Sequence, residues 1–158
     1  MAAFFLIFLL GYIAWGDIAN RRIKNKSIVL LFSLICFLKF FQEADIGGVS
    51  IYDSLISFFV YSFSFLFFYK LNWMGAGDVK LVAVLAFFFG VQDFFVVWII
   101  SIALALGYVA LVKIAYMAGW EVLRQKLTFK DVGKKYVPYG ALLCFASMFF
   151  ILKMEDIL

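Results

Sequence analysis

Apolar runs alternate with short polar clusters along the whole chain, at about 2–19, 27–41, 51–69, 78–92, 94–118 and 137–152. Crossing a bilayer as a helix takes about 20 predominantly apolar residues, so the pattern predicts six spans separated by polar turns. Several runs fall short of that length, which draws the polar residues at their ends toward the lipid. The expected fold is all-α: a polytopic membrane protein with about six transmembrane helices, both termini outside, forming a single domain over 1–158. The first run, MAAFFLIFLLGYIAW, lacks a basic n-region and a small-residue cleavage site, and reads as a retained span rather than a signal peptide.

Charge orients this arrangement. If all six runs cross, twelve of the fourteen basic residues fall on one side: Arg21, Arg22, Lys24, Lys26, Lys70, Lys80, Lys113, Arg124, Lys126, Lys130, Lys134 and Lys135. The other side carries Glu43, Asp45, Asp53, Asp93, Glu155 and Asp156 with only Lys39 and Lys153. The positive-inside rule puts the basic connections in the cytoplasm, so the chain reads as a multi-pass protein of the cytoplasmic (inner) membrane. At 67% hydrophobic residues and a mean hydropathy of +1.07, the basic excess points to anionic lipid. No nucleic acid is expected, because no stretch outside the loops interleaves aromatics with a basic face. Residues 116–135, which mix Trp120, Leu123 and Leu127 with five cations, read as a helix or loop at the inner membrane surface.

The chain has no histidine, and Cys36 and Cys144 each sit within an apolar run. A metal site, a cofactor and a disulfide are not expected; the cysteines read as buried free thiols.

Two acidic residues fall within or at the edge of spans. Sixteen helical steps separate Met1 from Asp17, and fifteen separate Asp93 from Asp78. At 1.5 Å per residue these are about 24 Å and about 22 Å, within a hydrocarbon core about 30 Å thick. Both carboxylates are therefore expected at one depth, near the cytoplasmic face. Taken singly, Asp17 could mark the exit of a helix and Asp78 could be an ordinary N-cap. Together they can share a site. Two adjacent carboxylates cannot easily both ionise, which puts an acid beside a base: one takes a proton from water while the other polarises an amide carbonyl. The helix N-terminus at Asp78 favours that residue as the base. Gly75 and Gly77, having no Cβ, permit either a turn or the close approach of an extended peptide backbone.

GAGDVKL, preceded some sixty residues earlier by DIANRRIKN and followed by VPYGA, resembles the three ordered motifs of the GxGD-type aspartic proteases called type IV prepilin peptidases. The resemblance covers nearly the whole chain. It implies catalytic roles for Asp17 and Asp78, and substrate-binding roles for Gly75, Ala76, Gly77 and Lys80, with Asn25 matching the asparagine of the first motif. Lys80 serves equally as an interfacial anchor. Lys24 and Ala141 stand where the family usually has proline, while Pro138 is suited to a helix start. The chain resembles the short tight-adherence (Flp-pilus) prepilin peptidases, with the archaeal preflagellin peptidases as neighbours by size, and shows no methyltransferase extension; its first cytoplasmic connection reads as about eight residues.

The expected function is a membrane aspartic endopeptidase that removes short basic leaders from pilin-like precursors. A basic leader would be expected to seek an acidic surface, whereas these loops are basic; mediation by anionic lipid and recognition of the precursor's apolar helix both stay open. The alternatives from other classes are a small proton-coupled transporter or channel component that relays protons through the paired carboxylates, and a structural scaffold. Oligomeric state is not legible.

Overall fold

The computed structural model describes residues 2–20, 22–41, 49–117 and 137–155. Arg21, Glu43, Asp45, Arg124, Lys126, Lys130, Lys134, Lys135 and Asp156, and the expected surface segment from 118 onward, lie outside the described residues.

All regular structure among the described residues is helical: α1 Ala2–Asn20, α2 Asn25–Phe41, α3 Ile51–Lys70, α4 Ala76–Met117 and α5 Tyr139–Glu155. The chain's single proline, Pro138, directly precedes α5, and its carbonyl accepts from the Leu142 N–H at 3.3 Å. At the start of α3, Ser50 caps the helix by accepting from the Asp53 N–H at 3.2 Å. The α1–α2 connection spans only residues 21–24. It is shorter than the expected eight because the Lys24 carbonyl accepts from Ser27 N–H at 3.0 Å and so starts α2 at Asn25.

α4 is not one rod. Gly90, with φ 78° and ψ −176°, breaks it into arms 76–89 and 91–117. Twenty-four helical steps separate Asp78 from Ile102, about 36 Å along a straight helix. Both residues nevertheless line the same cavity. The chain therefore reverses at Gly90, and ring contacts along α3 confirm it: Phe58 meets Phe87 of the first arm, whereas Tyr61 meets Phe94 and Phe65 meets Trp98 of the second. The break lies three residues before Asp93, where the polar pattern placed it. Asp93 is helical, since it is glycine that tolerates a positive φ.

The described chain thus forms six helical segments, matching the six apolar runs. Two of the five helices contain stretches long and apolar enough to cross a membrane, Ile51–Lys70 and Ala76–Ile114, the latter folded at Gly90. The first arm is the axis of the bundle. Residues 81–90 are all buried, packed by α2, α3 and α5, as expected for a helix that is apolar all round. The surrounding helices turn large apolar side chains outward, among them Phe8 at 77% and Phe63 at 72% exposure. So much outward apolar surface suits lipid rather than water. Near the break, where the carbonyl ladder is interrupted, Ser57 donates to the Ala86 carbonyl and the Tyr61 hydroxyl to the Val91 carbonyl at 2.9 Å. Cys144 is buried and Cys36 half-buried, and both are free thiols.

The directions of the segments collect the described Arg22, Lys24, Lys26, Lys70, Lys80 and Lys113 at one end of the bundle, and Lys39, Asp53, Asp93 and Lys153 toward the other. α1 begins and α5 finishes at that second end.

A Cβ on Gly90 would lie 2.7 Å from Val49 Cγ1 in addition to the left-handed φ. Gly90→Ala should therefore lower stability by about 1–3 kcal/mol. Gly107→Ala, in open space, should leave it unchanged or slightly higher. Thermal unfolding of both variants in one detergent checks the difference.

Candidate active site

Asp17 sits one turn before the end of α1, yet it does not mark an exit to solvent: it is 5% exposed. Its Oδ2 accepts the backbone N–H of Ala141 at 2.9 Å, across the bundle in the first turn of α5. Asp78 is not an N-cap. The Gly75 carbonyl accepts from the N–H groups of Asp78 at 3.1 Å and Val79 at 3.3 Å, which makes Gly75 the cap and Asp78 the third helical residue. From there its carboxylate folds back to the Gly75 N–H, the reciprocal half of a capping box, and also faces the N–H of Gly140.

Two consecutive backbone donors of α5, Gly140 and Ala141, thus each take one aspartate. Both belong to the first turn of a helix, where N–H groups have no intrahelical carbonyl. Such donors favour carboxylate partners. The absence of a side chain at Gly140 is what allows the approach. A Cβ there would lie 3.0 Å from Asp17 Oδ2, 3.0 Å from Asp78 Oδ1 and 2.5 Å from Ile23 Cδ1. Since one point is 3.0 Å from both oxygens, they are at most twice that distance apart. A water whose two bonds of ~2.7–3.0 Å diverge at its near-tetrahedral angle bridges oxygens up to ~5 Å apart, a separation that lies within this limit.

Ile23, in the α1–α2 turn, forms the outer wall of this arrangement. Its Cβ lies 3.2 Å from where a Cβ on Gly77 would stand. Gly77 therefore admits Ile23, and Ile23 in turn closes over Gly140. Lys80 is exposed, and its Nζ donates to Asn25 Oδ1 at 3.1 Å, tying α4 to the start of α2.

The carboxylates open into a cavity of about 700 Å³ lined by Asp17, Asp78, Gly75, Phe65, Phe68, Asn72, Trp73, Met74, Trp98, Ile102, Ala105, Val137, Pro138 and Tyr139. Its walls are aromatic and aliphatic. Phe65 meets Trp98 edge-on with ring centroids 5.7 Å apart, and Phe68 stacks on Trp73 at 6.0 Å. The Tyr139 hydroxyl pairs with Ser101 Oγ at 3.1 Å, which fixes that ring against the second arm of α4. Asn72 follows α3 with φ 57°, a left-handed conformation that asparagine tolerates.

The structure thus brings Asp17, Asp78 and Gly75 together at the cavity. Ala76, Gly77 and Lys80 are not among its lining residues: Gly77 packs Ile23, and Lys80 braces α2. Sequence reasoning missed the aromatic walls, because 22% of all residues are aromatic and nothing along the chain distinguishes Phe65 or Trp98 from their neighbours. It also gave no role to the N–H groups of Gly140 and Ala141, which VPYGA carries without any side-chain signal.

A family model described as the type IV leader peptidase family matches residues 4–110, a stretch that includes both aspartates and both arms of α4 as far as its last two turns. The chain belongs to the type IV leader peptidase family, a family of membrane-embedded proteases. Comparison with curated proteins and with solved structures gave no match.

Gly140→Ala should cost about 1–3 kcal/mol by overpacking the Ile23 methyl and both carboxylates. Adding Ile23→Val, which removes the nearest clashing atom, should recover a measurable part of that loss. A thermal double-mutant cycle reads the coupling; simple additivity would contradict the wedge.

Proposed function

We propose that this leader peptidase is an aspartic endopeptidase whose water-activating pair is Asp17 and Asp78. The observation that carries this reading is the convergence of the two carboxylates, from helices far apart in sequence, within reach of one shared water at the end of a large apolar cavity. The pair holds one proton between its members and acts as a unit. The ionised carboxylate takes a proton from water as the water oxygen attacks the scissile carbonyl carbon. The neutral carboxyl gives its proton to the carbonyl oxygen, forming a tetrahedral diol. Collapse of the diol, with a proton passed to the amide nitrogen, breaks the C–N bond and returns the pair to its starting state. A position at a helix N-terminus no longer singles out Asp78 as the base, because α5 presents a backbone N–H to each carboxylate.

The substrates are pilin-like precursors, of the Flp type by resemblance, cut where a short basic leader meets an apolar helix at the cytoplasmic boundary of the inner membrane. The aromatic walls of the cavity favour the apolar part of the precursor over the leader as the recognised element. Gly75 shapes the edge of the cleft beside Asp78, and Gly77 acts indirectly by seating Ile23. Lys80 holds the start of α2 through Asn25, and so positions the turn that carries Ile23.

Asp17→Asn and Asp78→Asn should each reduce the rate of leader removal at least ~10²-fold while the protein still accumulates in the membrane. Co-expression with a precursor, followed by sequencing the product's N-terminus, measures this. Undiminished cleavage by either variant defeats the mechanism, and altered proton flux with processing intact would identify a proton relay instead. Trp98→Ala should leave the carboxylates in place and raise KM for the precursor more than it lowers kcat, a split that steady-state kinetics in detergent resolves.

A further inference from the structure

A second cavity, of about 160 Å³, lies against α1 and the α1–α2 turn. Arg22, Lys24, Ser27 and Asn20 line it together with Tyr12, Trp15 and Ile23, and among the described residues no carboxylate does. Tyr12 is 53% and Trp15 71% exposed on the outward face of α1, about two to three turns before the cations. An aromatic pair followed by cations marks the depth at which lipid acyl chains give way to headgroups. Two cations, a hydroxyl and an amide gathered there have the chemistry of a phosphate receptor. The rings beside them offer apolar contact to the glycerol and upper acyl region of the same molecule.

We propose that this cavity binds the headgroup phosphate of an anionic phospholipid. Free inorganic phosphate shares the charge chemistry, but it has no use for the Tyr12 and Trp15 walls. The site is also connected to the aspartates. Arg22 and Lys24 flank Ile23, which lines this cavity and whose side chain also reaches Gly77 and Gly140. A lipid held by the two cations braces the turn, and through Ile23 it braces the backbone that holds both carboxylates. This last step rests on the protease reading; the binding site does not.

The test compares the full-length protein in nanodiscs of phosphatidylcholine doped with phosphatidylglycerol, with retained lipid measured by native mass spectrometry. Arg22→Gln/Lys24→Gln should lower phosphatidylglycerol retention by about tenfold or more. Lys70→Gln/Lys113→Gln, with the same loss of charge elsewhere, should change it less than about twofold if the effect is local. The swap Arg22→Lys/Lys24→Arg keeps both charges and should keep retention. Thermal unfolding of each variant shows that the fold is preserved. Equal losses in the two glutamine pairs would reduce the effect to general charge attraction and overturn the site. Displacement of the lipid by millimolar inorganic phosphate would overturn the lipid assignment. In the cleavage arm, leader removal should rise with phosphatidylglycerol for the wild type and not for Arg22→Gln/Lys24→Gln. Lipid retention as expected without cleavage of any precursor would leave the site standing and remove the protease reading. Cleavage with no difference in retention would remove the site alone.

Discussion

The first turn of α5 is where the molecule's parts depend on one another. Two backbone N–H groups, on Gly140 and Ala141, point away from a helix that cannot use them, and each meets a carboxylate from a different helix. Buried carboxylates without donors would be costly, and so would helix-end donors without acceptors. Satisfying both needs with one contact draws α1, α4 and α5 to a common point. The contact closes only because Gly140 has no Cβ and Ile23 has room beside Gly77. Four short stretches, around residues 17, 23, 77 and 140, are thus mutually required. A change in any of them is felt by the carboxylate pair.

The reversal at Gly90 does complementary work at the opposite end of the bundle. It turns the longest apolar stretch of the chain into a buried inner arm and an outer arm that runs back toward the site. The inner arm presents Asp78 at its start. The outer arm returns Trp98, Ile102 and Ala105 to wall the cavity above it. Without reversal those side chains would stand about 30–40 Å away by the helical rise. α3 holds the two arms in place by packing Phe58 on one and Tyr61 and Phe65 on the other.

Several of the sparse polar groups stand where backbone or charge calls for them. Ser57 and Tyr61 supply donors near the helix break, Ser50 caps α3, and Lys80 joins α4 to Asn25. The cations of the α1–α2 turn are exposed beside Tyr12 and Trp15, while Ile23 between them reaches Gly77 and Gly140. One short connection therefore touches both the second cavity and the backbone beside the two carboxylates.

Sequence alone determined the class of architecture. A highly apolar sequence whose runs are broken by short polar clusters defines helices whatever their partners are, and the six runs reappear as six helical segments. The aspartates stood out because a charge in such surroundings is costly, and nearly equal counts along their helices led to the expectation of one depth for both. Local patterns could not show what lies across space. Asp93 looked like the turn because it is polar, but a positive φ against Val49 selected Gly90. The family resemblance gave Ala76, Gly77 and Lys80 substrate-binding roles, with an interfacial anchor equally open for Lys80; in the fold none of the three lines the cavity, Gly77 packs Ile23 and Lys80 bonds Asn25. The aromatic walls and the paired N–H donors belong to different helices, and a backbone donor carries no residue-type signature. Only the packing of α1, α4 and α5 around Gly140 decided that these groups meet.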